Sequence, residues 1–177
     1  CRGSGYGDFL GRDMEQQQMD EVPEGFEPLP EGLGFTDNLS PCYRRLRDEE
    51  LLFGLVVQKQ HANSMGICHG GALMTLADIA AASWANLARG VVAGAPTINL
   101  GMDFISAARQ GQWVEARCEG VTLKRLFGFS RGVIVSNKGV VARFNATFYF
   151  PDHPGLSQDG MPNLGVLRGL TEQSNQS

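Results

Sequence analysis

Asp78 is the side chain whose placement most demands a chemical explanation. It is the only acidic residue between Glu50 and Asp103, and its neighbours are Leu76, Ala77, Ile79 and Ala80. Aspartate is a poor helix-interior residue because its short carboxylate competes for nearby backbone groups. Taking its charge out of water is costly unless a partner bonds to it. It is either a hydrogen-bonded structural carboxylate or a base or nucleophile kept in an apolar cleft. Upstream stands His69-Gly70-Gly71. Glycines let a ligand approach the backbone closely. The first N–H groups of a helix have no internal acceptor and lie at its positive end. Such amides can polarise a carbonyl and hold the negative oxygen formed when it is attacked, although a bare His-Gly-Gly also reads as a simple turn. Asn63 could orient a carbonyl or a water, and as a lone loop residue would mean little.

Spacing adds a constraint. Gly71 and Asp78 are seven residues apart, so they share a helix face but lie about 10 Å apart along the axis. A base and an oxyanion donor must each come within about 3 Å of one small reacting centre. If both act, the simplest solution is a second helix running antiparallel in a two-fold dimer. Asp78 of one chain would then face Gly70 or Gly71 of the other.

The helix carrying these groups should start near His69 and stop at Gly90, a natural C-terminal stop. Leu73, Leu76, Ala77, Ala80, Trp84 and Leu87 form its apolar stripe. Strands are expected over 51–57, 97–105, 113–123, 127–135 and 140–150, with 38–47 pairing to the first of them through Arg47-Asp48-Glu49-Glu50. In 97–105, Ile98, Leu100, Met102 and Phe104 should share one face and Asn99, Gly101 and Asp103 the other. In 113–123, Trp113, Glu115, Arg117 and Glu119 should share a side. Short turns between consecutive strands imply an antiparallel sheet. The fold class is therefore α+β, one long central helix wrapped by a curved antiparallel sheet.

The chain has 177 residues, 42% of them hydrophobic, and a formal net charge of −4. That is a one-domain, globular composition with no apolar run long enough for a membrane span. A general nucleic-acid binder would usually be basic. Residues 1–34 carry two basic and eight acidic side chains, whereas 35–150 carry twelve and eight. The expected organisation is an acidic, mobile or loosely packed arm (1–34), the folded domain (35–150) and a tail (151–177) in which Leu164, Val166, Leu167 and Leu170 could form a docking helix. A mildly basic core suits an anionic ligand. Cys1, Cys42, Cys68 and Cys118 lack paired or metal-type spacing. Free thiols and the lack of a secretion signal favour a cytoplasmic setting. His61, Cys68 and His69 make a poor metal set, and Cys68 a poor nucleophile beside its sequence neighbour His69.

The run from His61 to Asp78, with Asn63, Gly66, His69-Gly70-Gly71, Thr75-Leu76 and Asp78 in order, resembles the PaaI-like hotdog-fold acyl-CoA thioesterases. Pro96-Thr97, Ser106-Ala107-Ala108 and Lys138 to Ala142 match in place, and the resemblance covers about residues 35–150. It implies thioester hydrolysis without metal or cofactor, coenzyme A being part of the substrate, by a homodimer that is often a homotetramer. By position, Asp78 would be general base or nucleophile, the Gly70–Gly71 backbone would polarise the carbonyl, and Asn63 would orient substrate or water. His69 would fix the loop, and Thr97 would help hold the water. Lys124, Arg125 and Arg131 fall in the segment that resembles the coenzyme contact, where cations suit phosphates. Met65, Met74, Met102, Phe104 and Phe127 are candidates to line an acyl tunnel. The rivals are a non-catalytic acyl-CoA-binding sensor, a hydratase of the same fold, and an oligomer partner acting through the acidic arm.

Overall fold

The computed structural model describes residues 19–48, 50–91 and 94–151. The expected docking helix of the tail lies outside them. Seven strands form one antiparallel sheet: β1 (Glu27–Pro28), β2 (Tyr43–Arg47), β3 (Glu50–Val56), β4 (Thr97–Phe104), β5 (Trp113–Leu123), β6 (Phe127–Ser136) and β7 (Gly139–Tyr149). Their spatial order is β1-β2-β3-β5-β6-β7-β4, and the sheet does not close into a barrel. Short turns make β5, β6 and β7 a meander, while β3 and β4 flank the long helix in sequence and part to opposite sides of it.

That helix, α1 (Gly70–Arg89), lies along one face of the sheet and stops where Gly90 adopts a left-handed φ of 70°. Its buried stripe is Leu73, Leu76, Ala77, Ala80, Ala81, Trp84 and Ala85, and it meets Phe53, Leu55, Val114, Ala116, Ile134, Phe144 and Phe148 from the sheet. The alanines let the sheet approach closely, and Trp84 fills what they leave. Its ring stacks on Phe144 at 5.8 Å, and its indole N–H donates to Leu51 O at 2.7 Å. Leu87, expected in the stripe, is instead 37% exposed. Among the described residues no helix is long and apolar enough to cross a membrane.

Three expectations are corrected. Tyr43 opens β2, and the preceding residues Gly34–Leu39 form a 3₁₀ turn that buries Leu39. Residues 19–34 are not a loose arm. Asp20 accepts from Trp113 N–H at 2.9 Å, Phe26 packs edge-on against Trp113 at 4.9 Å, and β1 pairs with β2. Polar and Pro-rich composition concealed a strap whose few apolar contacts are all tertiary. Third, the strand alternation breaks at bulges, two of which fall in strands whose faces alternation should set. In β5 the register shifts between Cys118 and Gly120, taking Glu119 out of line with Trp113, Glu115 and Arg117. In β4 it shifts between Thr97 and Asn99. Ile98 becomes the extra residue and is 60% exposed. Thr97 then lies opposite Phe148, a residue of the buried face.

Candidate active site

The β4 bulge positions the site. Without the extra residue, Thr97 would share the outer face with Asn99, Gly101 and Asp103. A bulge re-aims the side chain beside it, and here Thr97 turns toward α1. Its hydroxyl donates to Asp78 Oδ1 at 2.8 Å. The half-buried carboxylate thus has one oxygen fixed, while Oδ2 has no hydrogen-bond partner among the described residues.

The start of α1 is built differently from its expected form. His69 is the N-cap, and its Nδ1 accepts the Gly71 N–H at 2.8 Å. That bond fixes the tautomer, since Nδ1 must be bare and the proton on Nε2. It also occupies the Gly71 amide, so that of the two glycines expected to offer a backbone donor, Gly70 is the one left open. The Gly70 N–H has no acceptor among the described residues. A Cβ on Gly70 would stand 3.0 Å from the ring of Phe104, so glycine lets that ring pack close to the helix start. Phe104 comes from the inner face of β4 and is 55% exposed. Thr75, between Gly71 and Asp78 on the helix, donates back to Gly71 O at 2.9 Å.

Asn63 holds its own loop. Its Oδ1 accepts from Met65 N–H at 2.9 Å and from Ile67 N–H at 3.4 Å, leaving the side-chain NH₂ for another group. Behind the loop, His61 is 2% exposed, and its carbonyl accepts the His69 N–H at 2.7 Å. His61 Nδ1 accepts from Gln58 N–H, and Nε2 closes no hydrogen bond of ordinary geometry. Burial pushes the pKa of His61 below its usual value, with the carbonyls of Leu39 and Val56 offsetting part of the shift. Burial also raises the Cys68 thiol to about 12, which removes it as a nucleophile. No group of three or more metal-ligating side chains occurs among the described residues.

The structure brings together Asp78 and Thr97, and separately His69, Gly70, Gly71 and Phe104. Gly70 and Asp78 are eight residues apart on one straight helix, about 12 Å along its axis. The three cations divide. Lys124 and Arg125 are exposed in the β5–β6 turn at the far end of α1, where Arg89 bonds their carbonyls. Arg131 lies on the outer face of the sheet, away from α1, in a groove of about 400 Å³ with Gly120, Thr122, Phe129, Asn145 and Thr147. Phe127 also faces outward, against Phe129 and Tyr149, so it does not join Phe104 in lining a tunnel. Sequence reasoning missed Arg89, for which the only signal was a cation in the last helical turn.

Comparison with known proteins adds a family. The family model described as the thioesterase superfamily matches residues 65–148. A Pseudomonas aeruginosa protein named "Putative esterase" is 31% identical over 134 residues, 75% of this chain and 100% of its own length. A mutant structure of the phenylacetic acid degradation protein PaaI from Thermus thermophilus is 32% identical, with a TM-score of 0.55 over 62% of this chain and 93% of that one. A Streptococcus pneumoniae protein, described as a hypothetical thioesterase with coenzyme A, shares the hotdog fold at 18% identity, with a TM-score of 0.52 over 62% of this chain and 85% of that one.

Proposed function

We propose that this chain, which belongs to the thioesterase superfamily, hydrolyses acyl-CoA to a carboxylic acid and free coenzyme A. The observation that carries the reading is the Thr97–Asp78 hydrogen bond, which fixes one oxygen of a lone carboxylate and leaves the other to act. Asp78 Oδ2 takes a proton from water as the water oxygen bonds to the thioester carbon. The carbonyl electrons move to its oxygen, which accepts the Gly70 N–H. The intermediate collapses, the C–S bond breaks, and the proton passes to sulfur. In the nucleophilic form of the same chemistry, Oδ2 itself bonds to the carbon, the C–S bond breaks and the coenzyme A thiolate leaves, and water then cleaves the anhydride to the carboxylic acid and free Asp78, its released proton going to the thiolate. The Asn63 NH₂ orients the carbonyl or the water, and His69 holds the turn that presents Gly70.

The 12 Å between Gly70 and Asp78 supports a site shared by two chains in a two-fold homodimer, two such pairs making the tetramer. The bare edge of β4 also supports it, since Ile98, Phe104 and Ile105 are 60, 55 and 52% exposed there. Lys124 and Arg125 serve the coenzyme phosphates, and Arg131, across the sheet, stands outside this assignment. A cytoplasmic setting goes with the reading, supported by the unpaired Cys42, Cys68 and Cys118. The test is thiol release from a panel of acyl-CoA thioesters. The reading predicts turnover by the wild-type chain and a loss of at least about 100-fold in Asp78→Asn. Turnover by a folded Asp78→Asn equal to wild type would contradict it.

A further inference from the structure

Arg89, at the end of α1, reaches across to the β5–β6 turn. Its Nη2 donates to Lys124 O at 2.6 Å, and Nη1 and Nη2 donate to Arg125 O at 3.2 and 3.3 Å. The ring of Phe150 lies 4.3 Å from the guanidinium carbon. The next carbonyl, Leu126 O, accepts the Phe150 N–H at 2.8 Å, and Lys124 N–H closes the turn onto Phe127 O at 2.8 Å. Three successive carbonyls of the turn are therefore tied down, two of them by one planar fork that a point charge could not replace. The side chains of Lys124 and Arg125 remain exposed. Cationic side chains presented on one turn suit a polyanion. A turn already fixed loses little entropy on binding.

Position supplies the anion. If Asp78 of one chain is level with Gly70 of its antiparallel partner, Arg89 lies eleven residues beyond Asp78, about 16 Å past the partner's Gly70 along the axis. An extended pantetheine arm covers a comparable distance between thioester and phosphates. We propose that Arg89 is a positioning residue that holds Lys124 and Arg125 as a clamp for the phosphates of the acyl-CoA reacting at the partner chain's Gly70. This rests on the acyl-CoA reading and adds to it which residue builds the coenzyme clamp and that the clamp acts in trans.

The test compares two substrates with the same acyl group: the CoA thioester, and the N-acetylcysteamine thioester, which has no phosphates. Arg89→Leu should raise KM for the CoA thioester about 10-fold with kcat within about twofold. It should leave kcat/KM for the truncated thioester unchanged, and Arg89→Lys should fall between. Equal losses on both substrates would make Arg89 a structural lock only and overturn the proposal, as would no loss on either. If Arg89→Leu does not fold, the double variant Lys124→Ala/Arg125→Ala must show the same selective rise in KM, and its absence overturns the proposal. A wild-type chain that turns over neither thioester would bring down the hydrolase reading itself, and the clamp with it.

Discussion

The two ends of α1 are finished in opposite ways. At the C-terminal end most polar groups are tied, Arg89 Nε being the exception. Gly90 turns the chain, Val91 N–H returns to Asn86 O, Asn86 Nδ2 bonds Ala82 O, and Arg89 staples the helix to a hairpin. At the N-terminal end groups are left open: the Gly70 amide, one oxygen of Asp78, the Asn63 NH₂ and a half-exposed Phe104 on an unpaired strand edge. The difference teaches where stability and chemistry reside in the same helix. The closed end can be weakened only at a cost to packing. The open end holds hydrogen-bonding capacity that water, a ligand or a second chain can use.

Substitutions at the open end should remove activity and spare stability. Asp78→Asn should lower kcat about 10²–10⁴-fold, the range for a lost acid–base group, with a melting temperature close to wild type. A large fall in melting temperature would make the carboxylate structural and erase the contrast. Gly70→Pro deletes the free amide at the first helical position, where proline fits, after a His69 already in the extended region (φ −66°, ψ 137°). Loss of an oxyanion donor predicts a fall in kcat of about 10²–10³-fold. The Phe104 ring, being exposed, can swing aside. Thr97→Val should cost about tenfold in kcat by freeing the carboxylate, read by thiol release alongside a melting curve.

The smallest effect is a dependence on pH behind the site. His61 has a lowered pKa in the folded chain because it is buried. Below its unfolded value, about 6.5, the unfolded chain takes up a proton that the folded chain refuses. Stability is therefore lost as pH falls from about 6.5 toward the folded pKa, with a slope of at most about 1.4 kcal/mol per pH unit. Urea denaturation at pH 7.5 and 5.5 should show a steeper loss for wild type than for His61→Asn. Equal slopes would remove His61 as the sensor.

Much of this was legible in the sequence because it is local. The helix limits follow from His69 and Gly90, and the meander follows from short turns between alternating runs. Asp78 stood out because a lone carboxylate in an apolar stripe breaks the local pattern. What could not be read is tertiary. The β4 bulge inserts one residue, reverses the face of Thr97, and has no composition signal. The His69 ring selects one of two neighbouring glycine amides by a side-chain rotamer. Arg89 finds its partners 35 and 36 residues away. The strap at 19–34 looks like loop sequence because its anchors, Asp20 and Phe26, gain meaning only against residues distant in sequence, Trp113 among them.

The shared site is the central claim, and mixing two dead chains tests it most directly. Asp78→Asn and Gly70→Pro chains, each inactive alone, are exchanged into mixed dimers and assayed for thiol release. One of the two sites in each mixed dimer then pairs an intact Asp78 with an intact Gly70, so random assortment should restore about a quarter of wild-type activity. Mixed dimers that form and stay inactive would contradict a site built from two chains.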